Sequence, residues 1–139
     1  MDARNTHQNP WIFIAYDLAD VRFVERICAS LRNMKHSISL PKDDENRRRT
    51  GYQNKAMRVC KVMLVVCSPE SIQKSRTVRH QVEHFDWLER PIIALDVRAV
   101  EKEEWFVPLS TAKKVDFRQS ADDGEYARAL GELDSTLKH

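Results

Sequence analysis

Glycine is scarce in this chain, with only Gly51, Gly124 and Gly131 among 139 residues. None falls between the first apolar run, Trp11 to Tyr16, and the helical pattern that follows it. A dinucleotide fingerprint and a P-loop are therefore both excluded there, because each needs glycines at the strand–helix turn to bring backbone against phosphate. The GxSxG elbow of the α/β-hydrolases is missing too. Cysteine is equally sparse: Cys28, Cys60 and Cys67 make an odd set, each inside an apolar pattern, with no CxxC and no paired histidines backed by further ligands. That excludes a structural zinc site and reads as reduced core thiols of a cytoplasmic protein. No apolar run approaches the roughly 20 residues that span a bilayer, and no secretory leader pattern opens the chain. An excess of one charge is also lacking: 23 basic against 21 acidic residues leave +2, which gives no basis for nucleic acid or an anionic membrane as partner.

What is present is an alternation. A hydrophobic fraction of 42% in 139 residues suits one domain with one core. After ten polar residues, expected to be a flexible N-terminus, Trp11-Ile-Phe-Ile-Ala-Tyr16 reads as a strand covered on both faces. Val21, Val24, Ile27, Cys28, Leu31 and Met34 then recur at helical spacing, with Asp20 as the expected N-cap. A short strand follows near Ser37 to Leu40. The charged stretch Pro41 to Gly51 is either a solvated loop or a mobile lid or assembly loop. A short helix from Tyr52 to Val59 leads to a third strand, Lys61 to Cys67. Beyond a polar loop comes a helix from Arg76 to Glu89, then a strand at Pro91 to Asp96. An irregular stretch follows, with a short helix near Glu101 to Trp105, then an edge-like strand at Lys113 to Phe117 and an amphipathic helix from Asp122 to Leu137. Five such alternations predict an α/β domain: a flavodoxin-like three-layer fold, with a five-stranded parallel sheet and helices on both faces.

Ligands of such sheets bind beyond the carboxyl ends of the strands, which draws attention to Ser68-Pro-Glu-Ser-Ile-Gln-Lys-Ser75-Arg-Thr-Val-Arg-His-Gln81-Val-Glu83. A receiver domain would need a phosphoacceptor aspartate at the end of the third strand, and Cys67-Ser68 stands there instead. The pieces resemble, in order and spacing, a Toll/interleukin-1 receptor (TIR) domain of the bacterial kind, over residues 11–137. Phe13-Ile-Ala-Tyr16 with Asp17 and Asp20 is similar to the family's first box, with Ala15 in place of the usual serine. Residues 42–51 sit where the family has its BB loop, without the usual Pro-Gly. Val65-Val-Cys-Ser68-Pro69 matches the V-x-x-S-P strand end, Ser75 and Val78 the S-x-W-V-x-x-E helix opening, and Pro91-Ile-Ile-Ala-Leu the P-I-I-P-L strand.

The resemblance implies one of two functions: cleavage of NAD+ at the nicotinamide–ribose bond, as an effector in bacterial anti-phage defence, or signalling by self-assembly without catalysis. NAD+ would be substrate, with no further cofactor and no metal. Partners would be other TIR domains and a fused or separate sensor, and the nearness of the C-terminus to the last helix suits a domain cut from such a fusion. The family's catalytic glutamate falls on Gln81, and its tryptophan on Thr77. At about 100° per residue, Gln81 lies at the margin of the buried face formed by Val78, Val82 and Phe85, whereas Glu83 points to solvent. Three readings of Gln81 stay open: a substitution made to trap substrate, the native residue of a scaffold-type domain, or a shifted register with Glu83 as the acid.

The distinction matters because nicotinamide is already cationic in NAD+ and departs as a neutral base, so the reaction needs no general acid. What helps is a fixed carboxylate beside an oxocarbenium-like transition state. Glutamine keeps the shape and loses the charge. The resemblance further places Tyr16, Asp17 and Leu18 against the nucleotide, although a plain strand-end turn accounts for them equally well. Ser68 and Ser75 are candidate ribose or phosphate ligands, Ser75 alternatively a helix cap. Arg47, Arg48 and Arg49 could meet a pyrophosphate or form part of a solvated loop. His80 and His84 have metal-binding spacing without further ligands, Trp87 and Trp105 read as packing or interface residues, and Cys67 has no base visibly poised beside it to make it a nucleophile.

Overall fold

The computed structural model describes residues 11–40, 57–101 and 105–138. The expectations for residues 1–10, for the charged loop and for the helix that follows it lie outside these, except that residues 57–59 are helical. Five strands, β1 (Trp11–Ala15), β2 (Ser37–Ser39), β3 (Val62–Cys67), β4 (Ile92–Asp96) and β5 (Lys113–Asp116), form one sheet in the order β2-β1-β3-β4-β5. Every neighbouring pair is parallel. The helices are α1 (Val21–Asn33), α2 (Arg76–Trp87), α3 (Val107–Ser110) and α4 (Asp123–Leu137).

Alternation along the strands divides the core in two. Ile12, Ile14, Leu64, Val66, Ile93, Leu95 and Val115 pack with Val24, Ile27 and Leu31 of α1 and with Tyr126, Ala129 and Leu133 of α4. On the opposite face, Phe13, Ala15, Met63, Val65, Cys67 and Ala94 pack with Val78, Val82 and Phe85 of α2 and Leu109 of α3. The result is the expected three-layer flavodoxin-like fold. β3 is buried along its whole length, which is why its sequence is an unbroken apolar run. The chain leaves β1 for β2 on one side and returns to β3 on the other. The topological switch point therefore lies between the carboxyl ends of β1 and β3, where such folds bind ligands.

Two local readings are corrected by the structure. Beyond β3 the chain is not a polar loop: Glu70–Lys74 is a wide helical turn of π type that buries Ser71 and Ile72. It closes because the Ser71 hydroxyl donates to Val66 O at 2.6 Å and accepts from Ser68 N at 3.0 Å. The short helix expected near Glu101 to Trp105 falls largely on residues outside those described; α3 follows it, with Pro108 in its first turn, where proline's missing N–H costs nothing. Asp20 does not cap α1 with its side chain. Asp17 caps the 3-10 turn Leu18–Asp20 instead, accepting from Ala19 N at 2.9 Å.

α4 is fastened to the rest by polar ties as well as apolar ones. Asp122 caps it at Glu125 N, the Arg26 guanidinium lies 3.5 Å from the centre of the Tyr126 ring, and buried His36 places Nε2 2.8 Å from Asp134 Oδ1. That contact, followed by Lys138, holds the Asp134 carboxyl below the usual carboxylate range. Because the folded value is the lower one, the tie contributes fully above about pH 4 and is lost as pH falls through the folded value. Asp134→Asn is expected to cost about 2 kcal/mol at neutral pH, and its gap to the parent chain should close progressively below about pH 4, as read from urea midpoints across that range.

Candidate functional site

The carboxyl ends of β1, β3 and β4 meet in a charge cluster around one buried carboxylate. The Asp20 side chain is only 4% exposed, and one of its oxygens accepts from Ser68 Oγ at 2.5 Å. The other accepts from Arg98 Nη2 at 2.7 Å. The same nitrogen lies 2.7 Å from Glu70 Oε1; this second contact is off the donor direction, so it acts as a charge pair rather than a directed hydrogen bond. Glu70 is held below the usual carboxylate range, first by its own backbone N–H and then by Arg98. Arg98 is fixed through its backbone too, since its N–H donates to Cys67 O at 3.3 Å. Ser68 is fully buried, so its hydroxyl faces Asp20 and Ser71 rather than open solvent.

The helix carrying the candidate acid starts beside this cluster. Ser75 caps α2, its hydroxyl accepting from Val78 N at 3.1 Å. Val78, Val82 and Phe85 are completely buried, and Gln81 is 4% exposed. Gln81 is thus enclosed with the apolar face rather than left at its margin. Glu83 stands on the outer side of the helix, half exposed and paired with Arg79 at 3.2 Å. Thr77 and His80 are exposed. His84 stacks on Trp87 with ring centres 6.1 Å apart, and the described residues contain no group of three metal-ligating side chains. Trp87 is a surface residue at 75% exposure, whereas Trp105 is partly buried beneath Lys114. Tyr16 is half-buried and Leu18 exposed at the end of β1. Arg47, Arg48 and Arg49 lie outside the described residues.

A model of the TIR domain family matches residues 12–133. The chain belongs to the TIR family. No curated protein matches it closely enough to be named as a relative. Within this TIR domain the strand-end residues singled out from sequence fall on two adjoining segments, Tyr16 to Leu18 after β1 and Ser68 to Ser75 after β3, on either side of the switch point. Position 81 follows on the inward face of α2. Sequence reading missed Glu70 and Arg98 and misassigned Asp20. A usable signal was there: Arg98 is a charge two residues beyond a buried strand's carboxyl end, where an unpaired guanidinium would be unusual. A cavity of about 320 Å³ lined by Arg58, Val59, Lys61 and Arg90 lies away from this site, at the end of the sheet where β3 begins. There Arg90 is occupied with the carbonyls of Met57, Arg58 and Cys60. No helix among the described residues is long and apolar enough to cross a membrane.

The three cysteines of the TIR domain are free and buried. Burial pushes the Cys60 thiol up to about 11. Cys67 is raised further, by burial first and then by the nearby Asp96 carboxylate. A thiol kept protonated and closed in by a sheet is a poor nucleophile. A thiol reagent such as dithionitrobenzoate is expected to titrate none of the three in the native chain within minutes and all three in guanidinium. Rapid native modification of Cys67 would show that the end of β3 is open to solvent.

Proposed function

We propose that this TIR domain is built on the NAD+-cleaving pattern, with nicotinamide–ribose bond cleavage as the ancestral chemistry and Gln81 in place of the acid that drives it. The observation that carries the reading is the pair of side chains on α2: position 81 faces inward with Val78, Val82 and Phe85, while Glu83 faces outward and is paired with Arg79. An inward carboxylate at 81 would sit in a low-dielectric setting, where a charge fixed beside a developing oxocarbenium ion acts most strongly. Glutamine offers an acceptor oxygen without that charge. In this reading the dinucleotide lies across Tyr16 to Leu18 and the head of α2, NAD+ is substrate rather than cofactor, and turnover in the glutamine form is lost or nearly so. The domain acts in the cytoplasm of a bacterial cell, in anti-phage defence, in assemblies with other TIR domains and under a fused or separate sensor.

A second reading, an assembly module without catalysis, is favoured by one specific set of contacts. The side chains of Asp17, Ser68 and Ser75, the candidate nucleotide ligands, already have internal partners: Ala19 N, Asp20 and Val78 N. A domain that no longer turns over a nucleotide can afford to keep these groups for its own loops.

NAD+ consumption separates the two. The parent chain, Gln81→Glu, and Gln81→Glu combined with Glu83→Gln would be assayed at high protein concentration with a crowding agent to drive assembly. Gln81→Glu is expected to exceed the parent by at least about a hundredfold, and the added Glu83→Gln to leave that rate within about twofold. Inactivity of all three would favour the assembly module. Activity in the parent, or activity in Gln81→Glu that disappears when Glu83→Gln is added, would make Glu83 the acid.

A further inference from the structure

The cluster around Arg98 joins three segments that the sheet itself leaves separate. Asp20 ends the turn after β1, Ser68 and Glu70 belong to the segment after β3, and Arg98 follows β4. Strand pairing has stopped at this level: the β1–β3 register ends at Ala15 with Val65, and the β3–β4 register at Cys67 with Asp96. Beyond those points the segments are joined by the amides of Val97 and Arg98 on Cys67 O and by side-chain chemistry. Arg98 is suited to the task because its backbone is already tied to Cys67 O, and because a planar guanidinium can face two carboxylates at once. Its partners differ in kind. Asp20 is almost wholly enclosed, at 4%, whereas Glu70 is 34% exposed and Arg98 itself 47%. Asp20 therefore depends on the pair, since an unpartnered carboxylate at that depth is strongly disfavoured, while Glu70 is the releasable arm.

We propose that Arg98 is a positioning residue: by joining Asp20 to Glu70 it fixes the spacing between Tyr16–Leu18 and the head of α2, and so sets how tightly the cleft takes a dinucleotide. The clasp itself stands on geometry. Its consequence for ligand affinity rests on the nucleotide reading given above, and the two are tested separately. Arg98 is held by Asp20, Glu70 and Cys67 O, so its effect on a ligand runs through the segments it holds. Those segments carry reporters, because the amides of Asp20 and Ile72 are bonded within them, to Asp17 O at 2.9 Å and Ser68 O at 3.0 Å.

The test is amide hydrogen exchange on the whole chain, with Arg98→Ala, Arg98→Lys and Glu70→Gln beside the parent, and an NAD+ titration of the same four proteins and of Gln81→Glu followed by ligand-observed NMR. Arg98→Ala is expected to speed exchange about tenfold or more over 17–20 and 70–74, leaving β5 and α4 within about twofold. It should weaken NAD+ binding about fivefold. Arg98→Lys should recover part of both effects, since an ammonium can hold one carboxylate but not two. Glu70→Gln should loosen 70–74 and leave 17–20 in place. It also carries the test should Arg98→Ala fail to fold. Exchange that rises everywhere, or nowhere, would overturn the clasp. A local rise with unchanged NAD+ affinity would overturn the positioning role. Absence of NAD+ binding by the parent and by Gln81→Glu alike would remove the nucleotide reading and the affinity consequence with it, while the exchange pattern would still decide whether Arg98 is the clasp.

Discussion

A carboxylate buried at the carboxyl end of a parallel sheet must be neutralised where it lies, and Asp20 is such a carboxylate. Leaving it unpartnered would cost several kcal/mol, so the surrounding chain is arranged to supply donors. Ser68 gives a hydroxyl and Arg98 a guanidinium. Much follows from that one requirement. Asp20 is taken up by tertiary partners and has no role as a cap, so the turn before α1 is closed by Asp17 instead. Ser68 is drawn inward, and Ser71 then satisfies the backbone that the end of β3 leaves open. The segment between β3 and α2 becomes a helical turn instead of a loose loop, and this sets where α2 begins. The position of residue 81 is thus tied, through α2 and its Ser75 cap, to a charge balance at the end of the sheet.

Position 81 shows how much a single atom exchange can mean in such a setting. Glutamate and glutamine are nearly isosteric, so either packs beside Val78, Val82 and Phe85 with little change in shape. They differ in charge, and a site with few competing waters magnifies that difference. For a leaving group that departs as a neutral base from a cationic nucleotide, the group that matters is an anion to meet the cation left behind. Glu83 supplies an anion on the same helix, but two residues away means about 200° around the axis. Its charge is spent on Arg79 at the surface. An acidic residue close in sequence is therefore no substitute for one on the correct face.

The sheet and the long helices were legible in the sequence because each repeats a short-range pattern. Val62 to Cys67 is an apolar run with no room for a surface strand, and Val24, Ile27, Cys28 and Leu31 mark one side of α1 by spacing alone. Spacing likewise put Gln81 at the margin of the buried face and Glu83 in solvent; the structure encloses Gln81. Helix ends were less legible, because glycine does not mark them: α1 and α2 are followed by Lys35 and Glu89 in the left-handed region, with φ of 74° and 59°, which glycine would adopt without strain. The helix reading that ran on to Glu89 overshot for want of that signal. The pairing within the charge cluster was not legible. Asp20 meets Ser68 across 48 residues and Arg98 across 78, and no periodicity relates partners so far apart. Asp20 looked like a cap because aspartate before a helix usually is one, and only the fold brings better partners within its reach.

The same geometry separates the ties at the carboxyl end of the sheet from the helix that carries position 81. Asp20, Ser68, Glu70 and Arg98 pair with one another, and none of the four belongs to α2. Gln81 adds no uncompensated charge to the apolar layer it joins, whereas a carboxylate there would have to be stabilised by partners or by ligand. An inward glutamine therefore spares the apolar layer a buried charge. The two parts are carried by different side chains: one set ties strand ends together, and residue 81 packs inward on α2 beside Val78, Val82 and Phe85.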